Sequence, residues 1–334
     1  MKTRMRRLRQ KEWIRDLVQE SSLSTKDLVW PLFLHDNLDD DRNFPIATMP
    51  GVLRYSLKNI GKTAQRAFDL GIPAVALFPQ ISTQRKDSLG SEALNPNNII
   101  CAAIREIKEK APKLGVICDV ALDPYTDHGH DGVLLNGQVE NDRTVEILCE
   151  QALVQARAGC DVIAPSDMMD GRIGRIREHL ENNNFQHVLI LAYAAKYASA
   201  FYGPFRDAIG SSSLVGTDKA IGFRDKRGYQ MNPANSREAM REIQLDIEEG
   251  ADMVMIKPGL PYLDIIYQAS QAFDVPIFAY QVSGEYSSLM HAAQTGLMDE
   301  TRAMMESLLS FKRAGTTGIL TYYADRAAEF LNAS

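Results

Sequence analysis

The chain has 334 residues and 45% hydrophobic content, enough for one large α/β barrel or two ordinary domains. Its 37 Lys+Arg stand against 43 Asp+Glu, a net charge of −6, so no overall basic field speaks for a nucleic-acid partner. No apolar run approaches the ~18 residues of a membrane span.

In chain order, residues 1–28 are basic, with an amphipathic stretch at 13–18, and read as an arm. The basic start resembles the head of a signal peptide, but Lys11, Glu12, Arg15 and Asp16 interrupt before any apolar segment. A cytoplasmic chain that engages no membrane is expected. From residue 29 one signature recurs: a helical pattern, a glycine, one or two small or polar residues, then an apolar strand. It falls at Gly71, Gly159, Gly250 and Gly315. Glycine supplies the left-handed position that ends a helix, so four such joints argue for repeated βα units. Strands are predicted around 29–34, 74–78, 116–122, 162–164, 188–192, 253–256, 277–280 and 319–322. Apolar positions three and four apart predict helices over 60–70, 99–110, 144–158, 237–249 and 301–312. Eight strands with intervening helices fit a (β/α)8 TIM barrel over 29–334, whose active site lies at the strand C-termini. A doubly wound sheet is the alternative, but no GxGxxG follows a strand. The polar insertion around 203–235, between strands five and six, is placed to form a lid. Cys101, Cys118, Cys149 and Cys160 form no CxxC pair and read as buried free thiols.

Strand six, Met253-Val254-Met255-Ile256, closes on Lys257 and Pro258. A buried ammonium loses its hydration, so this lysine is a candidate neutral nucleophile for Schiff-base chemistry. A lysine that is ion-paired, or that snorkels to water, is the bland alternative. Lys196 follows strand five, so two lysines end adjacent strands and each disfavours the other's protonation. Coincident surface lysines are the competing account.

Five blocks now carry a resemblance: Lys196-Tyr-Ala-Ser-Ala-Phe-Tyr-Gly-Pro-Phe-Arg206, Tyr229-Gln-Met-Asn-Pro233, Met255-Ile-Lys-Pro258, Tyr262-Leu-Asp264 and Tyr280-Gln-Val-Ser-Gly-Glu-Tyr286. With the stretches 119–132 and 163–171, they resemble the porphobilinogen synthase (5-aminolaevulinate dehydratase) family nearly end to end. The resemblance implies condensation of two 5-aminolaevulinate molecules to porphobilinogen with loss of water, in tetrapyrrole biosynthesis. It also implies an arm embracing a neighbouring subunit of a homo-oligomer, with an octamer expected. Lys257 is then the imine lysine of the first substrate, whose carboxylate Ser283 and Tyr322 receive. Lys196 serves the second substrate, whose carboxylate faces Arg206, Gln230 and a lid cation. Counting back from Gln230 puts that cation at Lys226, with Arg224 and Arg227 as neighbouring candidates. On residue type alone, Ser283 and Tyr322 read equally as core hydroxyls.

Two departures matter. Zinc-holding relatives carry three cysteines where this chain has Ala121, Asp123 and Asp131. Carboxylates do not reproduce a soft thiolate site, so the resemblance is to the magnesium-dependent branch. No catalytic zinc and no organic cofactor are expected. Asp123 and Asp131 are left to bind the substrate amine or a weakly held cation. Asp127, His128 and His130 read as a hydrogen-bonded loop or, alternatively, a metal site. Glu242 matches the glutamate that holds hydrated magnesium at a subunit interface; without the resemblance it is one more acid on a helix face. A class I aldolase on the same barrel is the rival enzyme, but no Gly-rich phosphate loop follows strand seven or eight. A non-catalytic scaffold leaves the paired lysines unexplained.

Overall fold

The computed structural model describes residues 1–210 and 226–333. Its centre is a closed ring of eight parallel strands: β1 Leu28–His35, β2 Ala74–Gln80, β3 Gly115–Val120, β4 Val162–Pro165, β5 Leu189–Lys196, β6 Met253–Lys257, β7 Ile277–Gln281 and β8 Gly318–Thr321. Each pairs with the next, and the pairing of Leu28 with Ile319 closes the ring from β1 to β8. The barrel expected from the alternation of strands and helices is therefore the fold. Gly71, Gly159, Gly250 and Gly315, the four predicted joints, all have positive φ, between 80° and 104°.

Three differences from the predicted elements have physical causes. β5 does not stop at 192 but continues to Lys196, because its ladder with β6 runs on to pair Lys196 with Lys257. The helix Arg172–Asn182 buries only Arg172, Ile173, Ile176 and Leu180, an apolar stripe too narrow to stand out in a charged segment. Within the insertion, Gly203–Ala208 forms a short helix and Lys226–Gly228 a single turn. Of the candidate lid cations, Arg224 lies outside the described residues.

Outside the ring, Leu53–Tyr55 joins the edge of β1 in parallel and pairs with Phe44–Pro45 in antiparallel. The helix Glu12–Leu17 at the N-terminus buries none of its residues, and Trp13 is 62% exposed.

A buried ion cluster ties the outer helices to the sheet. Arg172 sits 3.2 Å from Asp246 and 3.6 Å from Asp167, and donates to the carbonyls of Met169 and Tyr193. All three charged groups are buried. Removing one partner of such a cluster strands the remaining charges, at a cost of about 3–5 kcal/mol. Arg172→Leu is expected to lower the unfolding free energy by that order in urea titration, whereas substitution of an exposed arginine such as Arg6 leaves it within about 0.5 kcal/mol.

Candidate active site

The two lysines meet because of one irregularity in the ladder. Val254 lies beside Ala192, but Ile256 lies beside Ala195, so β5 spends one residue more than β6 over the same rise. Side chains alternate faces along a strand, and in regular register Lys196 and Lys257 would point to opposite faces. The extra residue is a β-bulge, and it sets Lys196 beside Lys257 on the inward face. Both are 5% exposed.

Rings surround Lys257. Its Nζ lies 4.6 Å from the ring centre of Tyr280, 4.9 Å from Phe205, 5.0 Å from Tyr193 and 5.4 Å from Tyr202. Phe33 and Phe78 pack behind Phe205, at 5.6 and 5.4 Å between ring centres. Among the described residues no carboxylate comes within ion-pair distance of Lys257. Burial lowers its pKa from 10.5 to about 7, the Lys196 ammonium lowers it too, and Asp119, Asp123 and Asp131 only partly offset them. The neutral-nucleophile reading of Lys257 thus has a physical basis, and the ion-paired and snorkelling alternatives do not describe it.

Lys196 has polar company. Its Nζ donates to the Ser166 carbonyl and lies 3.6 Å from Asp131. Lys226 is buried and holds Asp123 and Asp131 at 2.9 Å each. Burial opposes its charge, but the two carboxylates outweigh burial and raise its pKa. Burial also works to raise the Asp131 carboxyl, yet Lys196 and Lys226 hold it well below the usual carboxylate range. An ammonium of the chain itself therefore bridges Asp123 and Asp131.

Sequence reasoning assigned no role to Asp119. It lies on β3, with one carboxyl oxygen that finds no hydrogen-bond partner among the described residues. Burial and Asp123 push its pKa up to about 7, against the pull of Ser166, Lys257 and Lys196. The available signal was a lone acid on an otherwise apolar strand, Gly115-Val-Ile-Cys-Asp-Val120.

The remaining predicted residues divide into two groups. Ser283 is fully buried, accepts from the Phe205 amide at 2.9 Å and donates to the Phe201 carbonyl at 3.4 Å. Tyr322 lies just past β8 and shares a 2.7 Å hydrogen bond with Tyr280, itself against Lys257. Arg206 stands on the helix Gly203–Ala208 beside Phe205. Gln230, by contrast, lines a 460 Å³ cavity together with Arg227, His130, Asp170, Glu238 and Glu242. Glu242 is half-buried there on the helix Arg237–Glu248. Burial raises its carboxyl, Arg172 opposes the rise, and Asp246, Asp170 and Glu238 add to it.

His128 and His130 are tied into their loop. His128 meets the Ser88 carbonyl at 3.4 Å, and His130 meets the Tyr229 hydroxyl at 3.2 Å while its carbonyl accepts from Thr126. Among the described residues no three His, Cys, Asp or Glu side chains converge as a metal cage. All four cysteines are buried and free. Burial pushes the Cys101 and Cys149 thiols up to about 11, and that of Cys118 well above its ordinary value.

Comparison with known proteins converges on one family. Residues 2–330 match the family model described as delta-aminolevulinic acid dehydratase. A protein of that name from Bradyrhizobium diazoefficiens is 56% identical over 329 residues, 98% of this chain and 90% of its own. Its namesake from Rhodobacter capsulatus is 47% identical over 334 residues, 99% of this chain and 97% of its own. The crystal structure of the Toxoplasma gondii enzyme, in complex with the reaction product porphobilinogen, superposes with a TM-score of 0.94 at 45% identity. It covers 99% of this chain and 92% of that one.

The depressed pKa of Lys257 has a readout that needs no substrate. Lysines react with a small aldehyde plus cyanoborohydride as free amines, so the labelled fraction rises as pH climbs through each pKa. Lys257 is expected to reach half-maximal labelling near pH 7, whereas ordinary lysines do so near pH ~10.4. Peptide mass spectrometry across a pH series reads the difference; a Lys257 midpoint near that of ordinary lysines refutes the electrostatic account.

Proposed function

The chain belongs to the delta-aminolevulinic acid dehydratase family, lyases of porphyrin biosynthesis, and we propose that Lys257 and Lys196 carry the family's reaction here. The enzyme condenses two molecules of 5-aminolaevulinate to porphobilinogen with loss of water, through lysine Schiff bases. The observation that carries the assignment of roles is the pair of buried lysines set side by side, one of them ringed by aromatic side chains and brought by burial down to a pKa of about 7. Two keto acids need two amines and two carboxylate receptors, and that count organises the roles.

Lys257, as a free amine, attacks the ketone of the first substrate and expels water to give an imine. Ser283 and Tyr322 offer hydroxyls to its carboxylate. Lys196 engages the second ketone as an amine or as a base. Asp119, with a carboxyl near neutrality and close to both lysine charges, suits the transfer of protons at the carbons that an imine acidifies. Arg206, Gln230 and a lid cation are assigned to the second carboxylate, which requires Gln230, now lining the neighbouring cavity, to turn towards Arg206 when substrate binds. Lys226 fills that cation's role by exchange: the substrate's own ammonium takes over Asp123 and Asp131, and the released Lys226 turns to the carboxylate. Arg227 is the alternative cation, and Arg224 a third candidate.

The donor chemistry argues against a catalytic zinc, since Ala121 offers no ligand and Asp123 and Asp131 are occupied by Lys226. It suits an allosteric magnesium ion at Glu242, because a half-buried carboxylate among other acids favours a hard cation that keeps its waters. That ion would supply positive charge at a subunit interface and no chemistry at the lysines. No organic cofactor is invoked. The 1–28 arm, with its exposed Trp13 and Leu17, is assigned to wrapping a neighbouring copy in a homo-octamer. Residues 29–334 are assigned to the catalytic domain, in the cytoplasm, with the segment around 203–235 as its lid, of which 211–225 lie outside the described residues.

Borohydride reduction with 5-aminolaevulinate is expected to attach substrate mass to the peptide holding Lys257, and Lys257→Met to abolish the adduct. Lys196→Met is expected to cut turnover by about 10²-fold or more while the Lys257 adduct still forms. Label found only elsewhere, or a loss below about tenfold in Lys196→Met, overturns the assignment.

The metal assignment makes a separate prediction. Zinc-selective chelation should leave activity in place, and magnesium should raise it. Glu242→Gln should weaken that response and loosen the assembly in sedimentation without abolishing basal turnover. Stoichiometric zinc required for activity, or an unchanged magnesium response in Glu242→Gln, rejects this reading.

A further inference from the structure

The short helix Gly203–Ala208 bears Phe205, which packs against Lys257, and next to it in sequence Arg206. Six residues do not sustain a helix unaided, and its last carbonyls have no intrahelical donors. At its start, Ser283 takes the Phe205 amide at 2.9 Å. At its end the amides of Ile209 and Gly210 reach the Phe205 and Asp207 carbonyls at 3.0 and 3.1 Å, and a further donor comes from a distant part of the chain. Arg54 donates through Nε to the Ala208 carbonyl and through Nη2 to the Asp207 carbonyl, both at 2.7 Å. The Thr48 hydroxyl donates to the Asp207 carboxylate at 2.9 Å.

The donor is itself braced. Arg54 is paired in register beside Phe33 of β1, and Phe33 is one of the rings against which Phe205 packs. The turn before it is held by Ser287, which donates to the Thr48 carbonyl at 2.8 Å, and by the Tyr286 hydroxyl on the Pro50 carbonyl. A guanidinium fork on two adjacent carbonyls fixes the rotation of a helix end as well as its position, and a cation there also complements the helix dipole. Arg206 precedes Asp207 directly, so a swing of that end carries Arg206 with it.

We propose that Arg54 is a positioning residue for second-substrate recognition, acting through the helix Gly203–Ala208 to aim Arg206 and to hold Phe205 against Lys257. The proposal rests on the reading of Arg206 as a receptor of the second carboxylate. Arg54 does not touch the reacting atoms. Its loss moves the receptor and leaves the lysines in their strands, so the effect falls on KM more than on kcat.

The test is a double-mutant cycle in the full-length enzyme with 5-aminolaevulinate, accompanied by thermal melts. Arg54→Gln is expected to raise KM on the order of tenfold, as loss of two charge-assisted bonds implies. Arg54→Lys, which keeps one donor, should recover part of it. In an Arg206→Ala background, Arg54→Gln should add less than about twofold, because the two act as one unit. An unchanged KM in Arg54→Gln, or losses that multiply in full, overturns the proposal. A second readout separates it from the role of Arg206. Displacing Phe205 rehydrates Lys257, so the pH midpoint of Lys257 labelling should rise in Arg54→Gln. Should Arg206→Ala leave KM untouched, the receptor reading fails, and the labelling midpoint alone decides for Arg54: a rise supports it and no rise overturns it. Should Arg54→Gln not fold, Thr48→Val replaces it, with an expected KM increase of about threefold and no increase as the contrary result.

Discussion

Two ammonium groups side by side in a barrel mouth are the constraint to which the rest of the site responds. Water would screen them; rings replace water around Lys257, and a carbonyl and a carboxylate replace it around Lys196. Among the described residues Lys226 adds a third cation, and Asp119, Asp123 and Asp131 act on these lysines. The distribution is uneven. Asp123 and Asp131 hold Lys226 above its ordinary value and the lysines hold Asp131 below its own, whereas burial brings Lys257 down and Asp119 up to about 7 each. Each group's charge opposes the other's shift, so their titrations belong to the pair. A site that forms imines and rearranges carbon–hydrogen bonds benefits from an amine and a carboxyl drawn towards one pH range.

Much of this was legible in the sequence, for a local reason. An apolar strand closed by Lys257 and Pro258 announces a buried amine wherever it is read, and the glycine joints mark where each helix gives way to a strand. What was not legible depends on pairs far apart in the chain. The meeting of Lys196 with Lys257 was expected from the strand ends, but the bulge that brings it about required the ladder, because regular alternation sets the two on opposite faces. Asp119 took its meaning from neighbours on other strands. The partner of Lys226 is more than ninety residues away in Asp123 and Asp131. Arg54 looked like an ordinary edge charge, since nothing in Leu53-Arg54-Tyr55 foretells a helix end 153 residues on.

The same division separates the chemistry from its supports. Lys257 and Lys196 sit on strands buried along their length, where hydrogen-bonded neighbours on both sides limit motion. Arg206 sits on one turn and a half of helix held by Ser283 at one end and by Arg54 at the other. The two lysines are thus held by their place in the sheet, and Arg206, the proposed carboxylate receptor, by contacts at the two ends of its helix.

The bulge in β5 bears on how such a chain can change over time. Between Ala192 and Lys196 the number of residues, rather than their chemistry, puts both amines into one chamber. Ala194 and Ala195 can be exchanged for other small residues with little consequence for aim. Deleting either one turns Lys196 out of the barrel while leaving every lysine present in the gene. Inheritance should therefore tolerate spelling changes in this stretch and reject changes of length, so that, on the proposed role of Lys196, a single-codon gap there marks a descendant that has given up the reaction.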